Sequence, residues 1–467
     1  MLFSSIPFLY AFLPIVLVFY FIAPKALKNT VLLISSLIFY AWGEPRYVII
    51  MIVSVTCGYV LGLLIEKYRE NKRLSKLFMI LSAVISLGLL GYFKYANFFI
   101  SNFAAITGLS VSLLKITLPI GISFYTFQLL SYTIDVYRGD VPAQKNFITL
   151  SAYIALFPQL IAGPIVRYSD VAAELENRTH SFEKISQGAR RFLIGLGKKV
   201  LIANVLGEFC DIFKASGDWS VAYFWLYGIA FSLHIYFDFS GYSDMAIGLG
   251  KIFGFTFLEN FNYPFISKSI TEFWRRWHMS LSYWFRDYVY IPLGGNRVSK
   301  ARHIFNIFVV WFLTGFWHGA DWYFIIWGVY FGILLLIEKF YLSDILKKAK
   351  GFRHVYVLFL IIISFVIFNA SSTSQAFQYV GKLFGAGGIP LVSGEFFYYL
   401  RSLAPTLAVA VIGATPVVKN AFVKLSENVK IRKVLNLLEI PAMALLLIVI
   451  TAYLVDGSFN PFLYFRF

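Results

Sequence analysis

Apolar positions in this chain come in long unbroken runs rather than in the alternating or one-faced patterns of water-facing strands and helices. A helix that crosses a bilayer needs about 20 mostly apolar residues, fewer where protein shields it. Twelve stretches fit: 6–23, 30–42, 46–65, 77–98, 115–137, 191–213, 220–240, 303–318, 322–341, 354–370, 403–423 and 438–456. A further stretch, 147–166, is also apolar but is interrupted at Phe157-Pro158 and again at Ala162-Gly163-Pro164. Proline removes a backbone donor, and bare backbone is not tolerated against lipid. The two breaks therefore predict a re-entrant element enclosed by protein. The pattern predicts an all-α, polytopic integral membrane protein of about 11–13 spans plus this element, built as one membrane-embedded domain over 1–467.

Charge gives the layout a direction. The basic loops 66–76, 184–199, 268–302, 347–353 and 424–433 all fall on one side when 147–166 turns back on itself. Lys and Arg hold cytoplasmic loops, so that side is predicted to be cytoplasmic. Both termini and the Ser/Gly-rich stretch 371–402 are then outside. Residues 1–23 read as the first span and not as a signal peptide, because they lack a basic start and a small-residue cleavage site and contain Pro7 and Pro14.

Composition agrees. Charged residues make up 14% and hydrophobic ones 59%, with a mean hydropathy of +0.72; soluble domains carry about 25% charged residues. The net charge of +17 is spread over short loops. That distribution fits contact with membrane lipids and argues against nucleic acid. Cys57 and Cys210 lie in apolar runs and have neither disulfide-framework nor metal-ligand spacing.

Six histidines sit in contrasting settings. His318 closes an apolar run in Phe312-Leu-Thr-Gly-Phe-Trp-His-Gly-Ala-Asp321. An ionisable group at membrane depth is costly and usually faces a cavity or a partner. Gly315 and Gly319 share a helix face beside it, leaving room for a ligand or a neighbouring helix, with Trp317 alongside. Imidazole accepts and returns a proton near neutral pH; the competing reading is a hydrogen-bonded core histidine.

His278 lies in a segment that starts at Ser269 and Glu272, whose spacing is that of a helix cap, and ends before Pro292 and the Gly294-Gly295-Asn296 turn. Trp274, His278, Leu281 and Phe285 recur at helical spacing, predicting one continuous helix at the cytoplasmic interface with Trp274 and Trp277 at headgroup depth. Arg275, Arg276, Arg286 and Arg297 concentrate there. Guanidinium groups suit either donor phosphates or lipid headgroups. Asp238 and Asp244 flank Gly241 in a stretch that suggests a broken helix, where they can orient a histidine, cap a helix end or join an ion pair. His234 stands four residues before Asp238, positioned to pair with it, while His180, His303 and His354 read as surface residues at loop edges. No phosphate-binding loop, dinucleotide fingerprint, HExxH, GxSxG or Cys/His zinc cluster occurs.

Taken together, these segments resemble the membrane-bound O-acyltransferase (MBOAT) family, in its alginate O-acetylation branch. The resemblance runs through Pro119-Ile-Gly-Ile-Ser-Phe-Tyr125, Tyr132-Thr-Ile-Asp-Val-Tyr-Arg138, Phe157-Pro-Gln-Leu-Ile-Ala-Gly-Pro-Ile165, Asp238–Asp244, 273–281, 286–296, Gly315–Gly319 and 460–467. It implies a helical fold enclosing a transmembrane tunnel in the cell membrane. It matches His318 to the family's signature catalytic histidine and His278 to the second histidine of bacterial members. It also implies an acyl thioester donor such as acetyl-CoA, no bound cofactor or metal, a polysaccharide acceptor and an extracytoplasmic partner of the SGNH-hydrolase type. The segment 371–402 and the C-terminal tail are candidate docking surfaces. Related D-alanine-transfer proteins of teichoic acid modification share both histidines but usually differ after Arg286-Asp-Tyr288, where this chain reads Ile291-Pro-Leu-Gly-Gly-Asn296. D-alanyl transfer, a secondary transporter or flippase, and a non-catalytic assembly scaffold are the alternatives that sequence leaves open.

Overall fold

A computed structural model describes residues 1–43, 45–161 and 163–457, and every regular element among them is helical. The tail 460–467 lies outside the described residues. The chain divides into two compact units, Met1–Phe192 with Ser243–Leu258 and Leu193–Tyr242 with Glu259–Phe467.

Among the described residues, five helices are long and apolar enough to cross a membrane: Pro45–Lys67, Lys72–Thr107, Trp322–Lys348, Gly394–Gly413 and Val429–Asp456. Phe8–Ile22 and Phe352–Phe368 are apolar but shorter. The chain is a multi-pass membrane protein, and several boundaries move from those that hydropathy predicts. Residues 108–118 carry no regular structure, and the helix expected from 115 begins at Ile122, behind the turn that Gly121 makes at φ +77°. The expected span 403–423 is divided between Gly394–Gly413 and Val417–Ser426, with Pro416 at the break. The span read as 77–98 lengthens to Lys72–Thr107. Hydropathy weighs composition alone, whereas turns and prolines decide where hydrogen bonding stops.

In the first unit, 147–166 behaves as its prolines predict. It forms two short helices, Phe147–Ala155 and Phe157–Leu160, and every side chain from 149 to 161 is buried. The break is satisfied from outside the segment: the Phe157 amide donates to Ser36 Oγ at 3.0 Å.

The break expected near Gly241 is absent. One helix, Val221–Ile252, runs 32 residues through it. Gly241 and Gly248 are points of close helix contact instead. A Cβ on Gly248 would lie 2.6 Å from Gly188 O, and one on Gly241 would lie 2.7 Å from Gly195 O. Helices in lipid associate by bringing backbones together at small residues. The two aspartates on this helix are ion-paired. Asp244 takes Arg191 in the first unit, at 2.8 Å, and Asp238 takes the fully buried Lys199 in the second. Their cations come from 191–199 and not from the arginines of 275–297.

Candidate active site

The second unit is organised around a helical hairpin, Lys300–His318 and Trp322–Ile337. Asp321 caps the second helix. Gly315 and Gly328 let the pair close: a Cβ on Gly315 would lie 2.4 Å from Phe324 O, and one on Gly328 would lie 2.3 Å from Trp311 O. Gly319 is filled in the same way by the Phe324 ring. The room that glycine spacing leaves beside His318 is therefore taken by the neighbouring helix.

His318 ends the first helix, 4% exposed, inside an aromatic cage. Its ring meets Trp327 at 5.0 Å and Phe368 at 5.3 Å, both edge-to-face, and Trp317 at 5.0 Å. Such pairs prefer edge-on geometry and fix the ring's orientation.

His278 reaches the same place by a different route. The predicted continuous helix is broken into Ile270–Trp274 and Met279–Phe285, and His278 occupies the junction with φ 44°. His278 therefore does not share a helix face with Trp274. A left-handed backbone costs a non-glycine residue about 1–2 kcal/mol and persists only when its surroundings over-determine it. Here the extended segment 260–262 clamps both sides of the turn. Asn262 N donates to Arg276 O at 2.9 Å, and Met279 N donates to Asn260 O at 3.0 Å. Asn260 Oδ1 accepts from Ser280 N at 3.3 Å and from Ser280 Oγ at 2.9 Å. The His278 ring is 1% exposed, 4.7 Å from Phe239 and 6.0 Å from Trp317, and neither of its nitrogens has a hydrogen-bond partner. Buried polar atoms are nearly always satisfied, which sets this imidazole apart from the hydrogen-bonded His234 and His303.

Trp317 is a ring neighbour of both histidines. The centroid distances of 6.0 and 5.0 Å cap the separation of the imidazole centres at about 11 Å. The same unit holds a cavity of about 800 Å³, whose lining includes neither His278 nor His318. Trp274, Leu281, Phe285, Trp311 and Val310 give it an apolar wall. Lys268, Arg275, Arg286, Lys339, Lys347 and Arg353 supply cations. Its lining includes Thr314, four residues before His318, and Leu281, three residues after His278. Cations around an apolar chamber suit a ligand with an anionic head and an uncharged arm.

The structure sorts the residues singled out by sequence. Trp274, Arg275 and Arg286 line the cavity. Arg276 turns away to pair with Glu272 at 2.9 Å and to donate to Asn262 O at 3.0 Å. Asn296 and Arg297 are exposed outside the lining. Trp274 and Trp277 are 7% and 3% exposed. Trp274 packs edge-on against Trp311 at 4.6 Å, and Trp277 stacks on Phe273 at 5.5 Å. They are core residues and not headgroup anchors, because the broken helix folds into the unit. His234 donates from Nδ1 to Ala203 O at 2.7 Å.

Three contributors escape sequence reasoning. His303, expected at the surface, is buried on the cavity wall between Tyr290 Oη at 3.1 Å and Lys339 Nζ at 3.1 Å. Asn260 carries no charge and matches no motif. Glu338 is a buried carboxylate that accepts from the amides of Ile270 at 2.6 Å and Thr271 at 3.0 Å, holding the helix that leads to His278. A glutamate inside the apolar run 322–341 was its visible signal.

Comparison with known proteins bears on this geometry. The model of the membrane-bound O-acyltransferase family matches residues 142–374. A probable alginate O-acetylase AlgI of Azotobacter vinelandii is 44% identical over 83% of this chain and 79% of its own length. The probable alginate O-acetylase AlgI of Pseudomonas putida is 39% identical over the whole of both chains. A peptidoglycan O-acetyltransferase of Helicobacter pylori is 34% identical over 84% of this chain and 81% of its own.

Proposed function

The chain belongs to the membrane-bound O-acyltransferase family and is a membrane O-acetylating enzyme, and from that premise we propose that His318 and His278 carry the transfer, from a cytoplasmic thioester held in the cation-lined cavity to the hydroxyl of an exported or envelope glycan. The observation that carries this reading is that two buried imidazoles pack against one ring, Trp317, in the unit that also holds the cation-lined cavity.

The chemistry follows from the parts. The donor's phosphates sit among Arg275, Lys339 and their neighbours, and its acyl arm lies along the apolar wall. His318 takes the proton of the acceptor hydroxyl as that oxygen attacks the thioester carbonyl. The carbon–sulfur bond breaks, and the departing thiolate takes up a proton to leave as the free thiol. His278 serves the donor side, with neither of its buried nitrogens engaged in a hydrogen bond within the protein. The aromatic cage excludes water and so limits wasteful hydrolysis of the thioester. Where an extracytoplasmic partner of the SGNH-hydrolase type makes the final transfer, the ester formed here is its donor: that ester bond breaks as the polymer hydroxyl is acylated, and the first acceptor regains its hydroxyl, with 371–402 as the partner's docking segment. The relatives named for alginate and for peptidoglycan make a polymeric glycan the acceptor class.

Wild-type protein in lipid nanodiscs supplied with radiolabelled acetyl-CoA tests the donor assignment. Histidine-dependent release of free coenzyme A, or label retained on the protein, supports it. Absence of both, with the envelope partner supplied, rejects acetyl-CoA as donor.

Two substitutions probe the supports. Arg275→Ala removes an exposed cavity cation and is expected to raise KM for the thioester about tenfold with kcat little changed. An unchanged KM would assign Arg275 to lipid contact instead. Asn260→Ala removes both side-chain hydrogen bonds to Ser280 and leaves the His278 turn held by the two backbone bonds alone. It is expected to lower kcat about 10- to 100-fold in a protein that still elutes as a single folded species. Undiminished turnover would show that the turn holds without its clamp.

A further inference from the structure

A second cationic site lies in the first unit, remote in sequence from the histidines. The helix Leu13–Ile22 ends beside the loop 177–181, and Tyr20, fully buried, ties the two together. Its hydroxyl donates to Phe253 O at 2.6 Å and contacts His180 Nε2 at 3.0 Å. Cations gather around this pair. Lys28 Nζ stands 4.3 Å from the centre of the Tyr20 ring, and the Arg178 guanidinium is 4.6 Å from that of Phe255. Lys184 follows, its Nζ donating to Thr179 Oγ1 at 2.8 Å.

These charges are not neutralised. None of Lys28, Arg178 and Lys184 has a salt bridge among the described residues, and the buried Arg178 Nη1 has no hydrogen-bond partner. Glu174, the carboxylate that bears on Arg178, accepts instead from Thr256 N at 3.0 Å. Burial, and then the field of Lys28, Arg178 and Lys184, pushes the His180 imidazole below its ordinary value, and both Lys28 and Arg178 lie against the Tyr20 ring, at 4.3 and 5.9 Å from its centre. Gly254, at φ +87°, has no space for a side chain there: a Cβ would lie 3.2 Å from His180 Nε2.

The rim is apolar and open. Phe182 is 92% exposed and Ile22 78%, with Phe21 and Leu27 also exposed. Aromatic and aliphatic side chains beside a knot of unpaired cations match the boundary between headgroups and acyl chains. Both loops are basic, as cytoplasmic loops are.

We propose that Lys28, Arg178 and Lys184, gathered about the Tyr20–His180 pair, bind the phosphodiester of an anionic phospholipid, whose acyl chains run past Phe21, Ile22 and Phe182. The apolar rim selects a lipid over free phosphate, which has no use for it. The site is independent of the acyl-transfer reading.

Native mass spectrometry of the full-length protein in detergent tests this with phosphatidylglycerol and phosphatidylcholine of identical chains. Wild type is expected to retain phosphatidylglycerol preferentially. Lys28→Ala/Arg178→Gln/Lys184→Ala is expected to weaken that binding about 100-fold, at about fivefold per cation, leaving phosphatidylcholine unaffected. Should the triple variant fail to fold, the exposed Lys184→Ala alone is expected to cost about fivefold, with Arg178→Lys retaining most of the binding. Equal retention of phosphatidylglycerol by variant and wild type would overturn the proposal. Displacement of the lipid by millimolar inorganic phosphate would also overturn it, by making the ligand a free anion.

Discussion

Replacing His318 with alanine is expected to abolish O-acetylation while the protein remains folded and membrane-inserted. The imidazole is the acid–base group of the aromatic cage formed with Trp317, Trp327 and Phe368, and positioned acid–base groups contribute about 10²–10⁴ in rate. The expected loss is therefore about a thousandfold, read as thiol release or glycan acetylation by nanodisc-embedded enzyme. Alanine also leaves a void against Trp327 and Phe368. His318→Gln, close in volume, separates the two effects: it keeps the cage filled and should be as inactive. Wild-type turnover by either variant would remove His318 from the chemistry. A loss of melting temperature that tracked the loss of rate would reduce it to a packing residue.

The second large effect is expected at a glycine. Gly328→Leu should leave little or no folded protein. A Cβ alone at that position would lie 2.3 Å from Trp311 O and 2.9 Å from Gly315 Cα, all backbone that cannot rotate aside. The hairpin must then spread by more than an ångström, opening the contact that sets the end of Lys300–His318. Core overpacking costs about 1–3 kcal/mol where side chains can yield; here the opposing atoms are main chain and the cost is greater. Gly328→Ala should fold with a lowered melting temperature and slower turnover, since His318 shifts with its helix. Size-exclusion profiles and thermal melts in detergent report the first variant, and initial rates the second. A leucine variant with wild-type stability would mean that the hairpin does not depend on this contact.

Much of this was legible in the chain because bilayers demand long apolar helices, and composition shows them directly. The proline breaks of 147–166, the Ser269 cap and the depth of His318 all followed from local rules. Local rules failed where a residue's meaning depended on what lay opposite it. Gly241 looked like a break and proved to be a helix contact, because glycine both weakens a helix and lets another backbone approach. Trp274 and Trp277 looked interfacial and proved to be core, because the same aromatic spacing serves either surface.

The sequence by itself determined the solvent this protein lives in, the helical class, and the two histidines worth asking about. Those rest on side-chain type and spacing, which are properties of one strand of chain. Only the tertiary structure decided that His278 sits in a left-handed turn clamped by Asn260, that Trp317 joins it to His318, and that Lys339 and His303 complete the cavity wall. Each of those facts joins residues far apart along the chain, and their meeting is set by how helices pack, through glycine contacts and buried caps such as Glu338, which no local pattern encodes.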